Sequence, residues 1–384
     1  MESGSGELET LRRSVRRLAE DKILPLASEI DASGEFPWGV KEELARSGLM
    51  AIPFPSQYGG VDADNDSAMC VAVEEIARVC ASSSLIIQVQ HLAAQPILLA
   101  GTESQKNRYC PNLANGQWLG AFALTEPGAG SDVGAISTLA KPGPEGYEIS
   151  GRKCFISNGS VADVVIVFAK TDPQAGARGL SAFIVEKSFP GFGVGRIEKK
   201  MGVRGSPAAE IVLEGCRVPR ANLLGEEGGG FALAMRTLDR TRPVIAAQAV
   251  GIAQGALDVA LRYACERRQF GRAITEFQGI QFMLAEMAAE LEAARALTYY
   301  AARLADEGSP RLSYFAAAAK LIASDTAMRV TTDAVQIAGG YGYMTDLPLE
   351  RMMRDAKITQ IYEGTNQILR LVIARELLQE GRPS

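Results

Sequence analysis

The chain of 384 residues predicts an α+β fold that is mainly helical, in three domains. Three observations lead there. Residues 1–118 read as helices; residues 119–228 switch to short β-branched runs between glycine and proline turns; residues 229–384 return to long amphipathic helices. The middle part is expected to be a compact antiparallel β-barrel or sandwich, the last part an antiparallel helical bundle.

In the first part, residues 7–31 form an amphipathic stretch interrupted at Pro25. A short helix over 40–47 is closed by Gly48. Helices over 66–81 and 83–100 follow, the second closed by Gly101, and Thr102 N-caps another with Glu103 in its first turn. In the middle part the runs 147–150, 164–168, 181–185 and 209–213 read as strands, and Asn158-Gly159 as a turn. Gly228-Gly229-Gly230 reads as a flexible exit, since it lacks the GK[ST] ending of a phosphate-binding loop. In the last part Ile245, Ala249, Ile252, Ala256, Val259 and Tyr263 recur at steps of four and three, as do Leu284, Met287, Leu291, Ala294 and Thr298.

Composition narrows the function. With 47% apolar and 22% charged residues the balance is that of a soluble globular protein. The net charge of −5 argues against a nucleic-acid partner. No run of about eighteen apolar residues is present, so no membrane span is expected. The N-terminus has no secretory pattern and is too acidic for a transit peptide. Six scattered cysteines, none in a CxxC, suggest reduced thiols in a cytoplasmic or matrix-like compartment. His91 is the single histidine, which excludes a multi-histidine metal site and favours a packed or pocket-lining role; no metal is expected.

Three strings carry chemistry. The first is Ile361-Tyr362-Glu363-Gly364-Thr365-Asn366-Gln367, which places a carboxylate just before a helix start. Gly364 permits close approach, Thr365 and Asn366 are suitable N-caps, and the peptide N–H groups there can serve an oxyanion while Glu363 acts as a base. The second is Ala123-Leu124-Thr125-Glu126-Pro127-Gly128-Ala129-Gly130-Ser131-Asp132, a strand running into small residues that expose backbone N–H groups to a planar or anionic ligand. It is not a Rossmann fingerprint. The third is Gln336-Ile337-Ala338-Gly339-Gly340-Tyr341-Gly342-Tyr343, a helix end where another surface can come close.

With the loop 123–135, the stretch 336–343 and the run 354–367, and with Asp239–Pro243 and Glu266–Gly271, the chain resembles the acyl-CoA dehydrogenase family over essentially its whole length, most closely the short- and medium-chain branch. The resemblance implies a helical N-terminal domain, a β-domain and a C-terminal four-helix bundle. It also implies FAD as cofactor, a homotetramer built as a dimer of dimers, a role in β-oxidation, and electron-transferring flavoprotein as acceptor. The implied reaction is oxidation of an acyl-CoA thioester to its trans-2-enoyl-CoA. Glu363 would remove the α-proton as the β-hydride passes to the flavin, and the N–H of Glu363 would help polarise the thioester carbonyl. Leu124, Thr125 and Ser131 would line the flavin and thioester region, with Phe155, Ile156 and Ser157 flanking the flavin ring. Many relatives carry tryptophan where Phe155 stands. Arg267, Phe270, Gln278, Gln336, Gly339 and Gly340 would contact the ADP part of FAD, and Thr365 and Gln367 would hold it from the Glu363 loop. Ser131, Asp239, Arg242 and Gly364 would face the substrate. Some relatives place the base near the position of Thr241, where threonine cannot serve.

The alternatives are a dehydrogenase for a branched, cyclic or carrier-bound acyl group, a flavin acyl-CoA oxidase, and a flavin-less scaffold that keeps the fold. The polar residues Gln88, Gln90 and His91, on the helix expected to form part of the pocket floor, hint at a short or functionalised acyl group.

Overall fold

The computed structural model describes residues 3–61 and 65–380. The first helical layer holds α1 (Ser3–Leu18), α2 (Ala27–Ser33), α3 (Trp38–Arg46), α4 (Asn65–Ala77), α5 (Ala81–Ala100) and α6 (Glu103–Ala114). The break around Pro25 is a π turn, Ala19–Ile23, followed by a 3-10 turn, Leu24–Leu26. Proline cannot donate the helical N–H, so the chain changes pitch there. Thr102 caps α6 through a reciprocal pair: its hydroxyl accepts from the Gln105 N–H and the Gln105 side chain accepts from the Thr102 N–H.

The middle domain is one eight-stranded sheet. Its strands are β1 (Gly120–Ala123), β2 (Leu139–Pro142), β3 (Gly146–Ser157), β4 (Val164–Lys170), β5 (Leu180–Glu186), β6 (Phe192–Ile197), β7 (Ala208–Pro219) and β8 (Leu223–Leu224). They lie in the order β6-β7-β3-β2-β4-β5-β8, with β1 paired to β4. The sheet is mixed rather than wholly antiparallel, because β1–β4 and β2–β4 run parallel. The continuous apolar run of β4 has a simple reason. Ile166 and Phe168 face the core shared with the N-terminal helices, whereas Val165 and Val167 face the core enclosed by the sheet.

The third domain contains α7 (Gly230–Glu266), a small hairpin of β9 (Arg268–Gln269) and β10 (Arg272–Ala273), α8 (Gln278–Asp306), α9 (Leu312–Ala338), the single turn α10 (Gly340–Tyr343), α11 (Leu349–Thr359) and α12 (Asn366–Glu380). The predicted stripes are its core: Ile245, Ala249, Ile252 and Ala256 of α7 and Met287, Leu291 and Ala294 of α8 are buried, with Ala319, Ala323 and Ala327 of α9 beside them. Alanine at these positions lets the helices approach closely. By length and composition α7 could cross a membrane, but 72% of its most apolar stretch is buried inside the fold.

The triple glycine is not a loose exit. Gly228 donates its N–H to Ser181 Oγ, 2.9 Å away, and a Cβ on Gly230 would come within 2.8 Å of the Leu180 carbonyl oxygen. These residues dock the start of α7 against β5.

Candidate active site

Glu363 stands in the turn between α11 and α12, in the left-handed backbone region at φ +52°, followed by Gly364 at φ +102°. A non-glycine residue there costs about 1 kcal/mol, so the surroundings must hold the turn. Thr365 is the N-cap of α12, its hydroxyl accepting from the Ile368 N–H at 3.3 Å. Asn366 does not cap. Its amide donates to Ser324 Oγ at 2.9 Å and Asp325 Oδ1 at 2.8 Å, tying the turn to α9.

The side chains around Glu363 come from distant segments. Thr241 of α7 donates to Glu363 Oε2 at 2.6 Å. Arg242 donates from Nε to the Glu363 carbonyl at 3.3 Å, and its Nη1 meets Asp239 at 2.6 Å. Arg242 is only 4% exposed, so its guanidinium holds the turn and faces no open surface. Lys320 of α9 donates to the Gly364 carbonyl at 2.7 Å. Tyr362 hydrogen-bonds Gln248, which in turn donates to Ser84 of α5 at 3.0 Å.

This environment tunes the carboxyl. Burial raises the Glu363 pKa above the ordinary carboxylate range, and the Thr241 hydroxyl, Arg242, His91 and Lys320 partly oppose it. Burial likewise lowers the ammonium of Lys320, with Glu363 opposing, to about 7. Burial also raises Asp239, opposed by Arg242.

A second group of residues forms an open cradle along β1, β3 and the loop between β1 and β2. Leu124 is buried, Thr125 and Ser157 are half-buried, and Ser131 is exposed. A Cβ on Gly128 or Gly130 would meet nothing within 4 Å, which leaves these peptide groups accessible. Phe155 lies beside them at φ +58°, 65% exposed, while its neighbour Ile156 points into the sheet core. Phe155 is lifted out by the register break between Lys153 and Ile156 in the β3–β7 ladder. Beneath the cradle lies a buried ion pair. Lys153 Nζ is 2.7 Å from Glu126 Oε1 and also donates to the Leu124 carbonyl. Glu126 accepts from the Ser137 N–H and hydroxyl, both at 2.7 Å, and from the Thr138 N–H at 3.0 Å. Burial alone would raise Glu126, but Lys153 and these donors hold its carboxyl down to about 2.

The third group lies at one end of the bundle. Arg267, Gly339 and Gly340 line a cavity of about 480 Å³ together with Tyr263, Tyr341 and Met344. Arg267 stacks over the Tyr341 ring at 5.5 Å. Phe270 sits at the tip of the β9–β10 hairpin, 93% exposed, with Gly271 at φ +81° completing the turn. Gln278, Gln336 and Gln367 are exposed, and Thr365 is half-buried. A larger cavity, about 600 Å³, lies among α1, α4, α7 and α8, and its arginines are already paired with Glu74, Glu75 and Asp258.

Sequence reasoning missed Lys320, the Gln248–Tyr362 contact and the Lys153–Glu126 pair. Lys320 had a signal: it interrupts the alanine stripe of α9. Of Gln88, Gln90 and His91 on α5, Gln90 is occupied structurally, donating to the Leu113 and Trp118 carbonyls and accepting from the Gly120 N–H. Gln88 and His91 each keep a buried polar atom without a protein partner, Oε1 and Nδ1 respectively.

The comparisons with known proteins decide the family. The acyl-CoA dehydrogenase N-terminal, middle and C-terminal domain models match residues 5–117, 121–216 and 228–378. This chain belongs to the acyl-CoA dehydrogenase family. It is therefore an FAD-dependent oxidoreductase of the acyl-CoA dehydrogenase class. It is 50% identical to the probable acyl-CoA dehydrogenase FadE25 of Mycobacterium tuberculosis over 97% of this chain and 96% of that one. Butyryl-CoA dehydrogenase from Megasphaera elsdenii superposes with a TM-score of 0.94 at 44% identity, covering 97% of this chain and 98% of that chain. A chain in the structure of the electron transferring flavoprotein of Acidaminococcus fermentans, described in connection with flavin-based electron bifurcation, also gives 0.94, at 47% identity and the same coverage.

The residues present fit the cofactor of this acyl-CoA dehydrogenase. The open cradle at Gly128 and Gly130, the outward Phe155 and the arginine-lined cavity offer peptide donors, an aromatic face and a cation.

Proposed function

We propose that this acyl-CoA dehydrogenase converts an acyl-CoA with a short or polar acyl group to its trans-2-enoyl-CoA, with Glu363 as the base. The observation that carries the reading is the carboxylate of Glu363, half-buried, raised in pKa and held in a strained turn by contacts from α7 and α9. Stored strain of this kind belongs to sites where geometry matters.

FAD, when bound, supplies the acceptor for the hydride that leaves the β-carbon. Everything else falls to the chain. Glu363 removes the α-proton, and a carboxylate whose pKa is raised by burial is the stronger base for that step. The Glu363 N–H serves the thioester oxygen as negative charge develops there. Leu124, Thr125, Ser131 and Ser157 hold the flavin ring end, with Phe155 as its aromatic neighbour, while Ile156, its side chain buried in the sheet core, anchors the bulge that presents them. Arg267, Phe270, Gln278, Gln336, Gly339 and Gly340 hold the ADP end, and Thr365 and Gln367 hold FAD from the Glu363 turn. Ser131 and Gly364 meet the substrate. Asp239 and Arg242 act on it through the turn, because Arg242 is buried against the Glu363 carbonyl.

The preference for a short or polar acyl group rests on Gln88 and His91. Each has an unpaired buried polar atom on α5, and Gln88 Nε2 reaches Tyr362, the neighbour of Glu363, at 3.5 Å. An alkyl chain would leave these atoms unsatisfied, at a cost of about 1–3 kcal/mol each.

The exposed hairpin bearing Phe270 supports a homotetramer in which that ring is covered. The likeness to a chain described under the electron transferring flavoprotein of Acidaminococcus fermentans supports such a flavoprotein as acceptor, and the likeness to bacterial acyl-CoA dehydrogenases supports a cytoplasmic place of work. The test is a panel of straight, branched, cyclic and hydroxylated acyl-CoA thioesters, assayed with electron-transferring flavoprotein and with oxygen alone. The expected result is turnover of short or polar thioesters that needs the flavoprotein. Rapid stoichiometric peroxide formation without it would assign an oxidase, and a preference for long unbranched chains would overturn the acyl-group assignment.

A further inference from the structure

Lys320 is a fully buried ammonium on the inner stripe of α9, flanked by Ala316, Ala319, Ala323 and Ala327. Packing alone asks for another alanine at that position, and a buried cation costs several kcal/mol unless something compensates it. Its hydrogen-bond acceptors are neutral oxygens, both in the turn that carries Glu363. They are the Gly364 carbonyl at 2.7 Å and Asn366 Oδ1 at 3.4 Å. Ser324 and Asp325, four and five residues further along α9, hold the other side of the turn through Asn366 and Gln360.

We propose that Lys320 is a positioning residue for the reaction, holding the Gly364 carbonyl so that the left-handed turn keeps the Glu363 carboxylate in place and keeps a cation beside it. This rests on the reading of Glu363 as the base. The charged groups facing Lys320 are Glu363 from the turn, Arg242 from α7 and Asp325 on α9. Those facing Glu363 are Arg242, His91 of α5 and Lys320, with the Thr241 hydroxyl. Arg242 grips the carbonyl of Glu363 and Lys320 that of Gly364, so successive carbonyls of the strained turn are clamped from two helices.

The test uses FAD-loaded enzyme and the variants Lys320→Met, Lys320→Gln and Glu363→Gln, followed by rapid-mixing measurement of flavin reduction by a good acyl-CoA substrate. Lys320→Met is expected to retain flavin and keep KM within about threefold, while the reduction rate falls about 10- to 100-fold, the loss that a misplaced reacting group brings. The acid limb of its pH profile should move up by about one unit, since Glu363 loses a facing cation. A merely structural lysine would not move that limb. A Lys320→Met enzyme with wild-type rate and wild-type limb overturns the proposal. Should Lys320→Met fail to fold, Lys320→Gln decides. It keeps a donor without the charge, so its rate should stay nearer wild type while its limb still shifts, and an unshifted limb overturns the proposal. Wild-type flavin reduction by Glu363→Gln would mean that the reading of Glu363 fails. An inactive Glu363→Gln beside a normal Lys320→Met would mean that only the role of Lys320 fails.

Discussion

Glu363 takes hydrogen bonds from residues as far as 122 positions away, and this explains what one residue could and could not disclose. Its place before a helix start was legible, because Gly364 and Thr365 announce a turn and an N-cap. Its left-handed backbone was not, since glutamate has no preference for that region. The environment has a consequence for pH. As the proposed base Glu363 has to be ionised, and its pKa is raised, burial being the largest cause. Flavin reduction should therefore fall away as the pH drops through a value above the ordinary carboxylate range. Thr241→Val removes the hydrogen bond that favours the ionised form, so the limb should move to higher pH still. The pH dependence of the reduction rate in both proteins checks this, and an unmoved limb in Thr241→Val would show that the hydroxyl does not tune the carboxyl.

At the level of elements, the period of the apolar residues identified α7 and α8, and the N-cap at Thr102 was read from its own neighbours. What stayed hidden were pairings across elements. Strand periodicity cannot tell a parallel neighbour from an antiparallel one, so the β1–β4 and β2–β4 pairings were out of reach. Gly228–Gly230 looked like a linker because the β5 backbone it docks against lies almost fifty residues earlier. The Lys153–Glu126 pair under the open cradle was hidden for the same reason. It sets the relation between the loop after β1 and the bulge in β3 that turns Phe155 outward. Because Glu126 is held down to about 2, its contribution is complete at neutral pH and is lost as the pH falls from its ordinary range near 4.5 towards 2. Glu126→Gln would leave Lys153 buried and unpaired at a cost of about 3–5 kcal/mol. The expected outcome is a lower thermal midpoint with flavin released more easily, read from melting curves and from flavin fluorescence. An unchanged midpoint would show that the pair is dispensable.

Across the whole molecule, the N-terminal layer and the bundle meet at one turn, and the sheet carries the open cradle. The N-terminal layer contributes Gln88 and His91, the sheet contributes the cradle from Leu124 to Ser131 with Phe155, and the bundle contributes Thr241, Arg242 and Lys320 around Glu363. The order of motifs along the chain was enough to indicate the family. The acyl group was not legible to the same degree, because the pocket is set by side chains whose partners depend on packing: Gln90 looked available and is bound to backbone, whereas Gln88 and His91 retain free atoms. The central claim is that Glu363 is the base that makes the rest of this assembly productive, and rapid mixing of flavin-loaded Glu363→Gln with a saturating acyl-CoA tests it most directly. The account predicts a folded, yellow protein that binds the thioester while its flavin reduction is slower by about two to four orders of magnitude. Flavin reduction at the wild-type rate in that variant would contradict it.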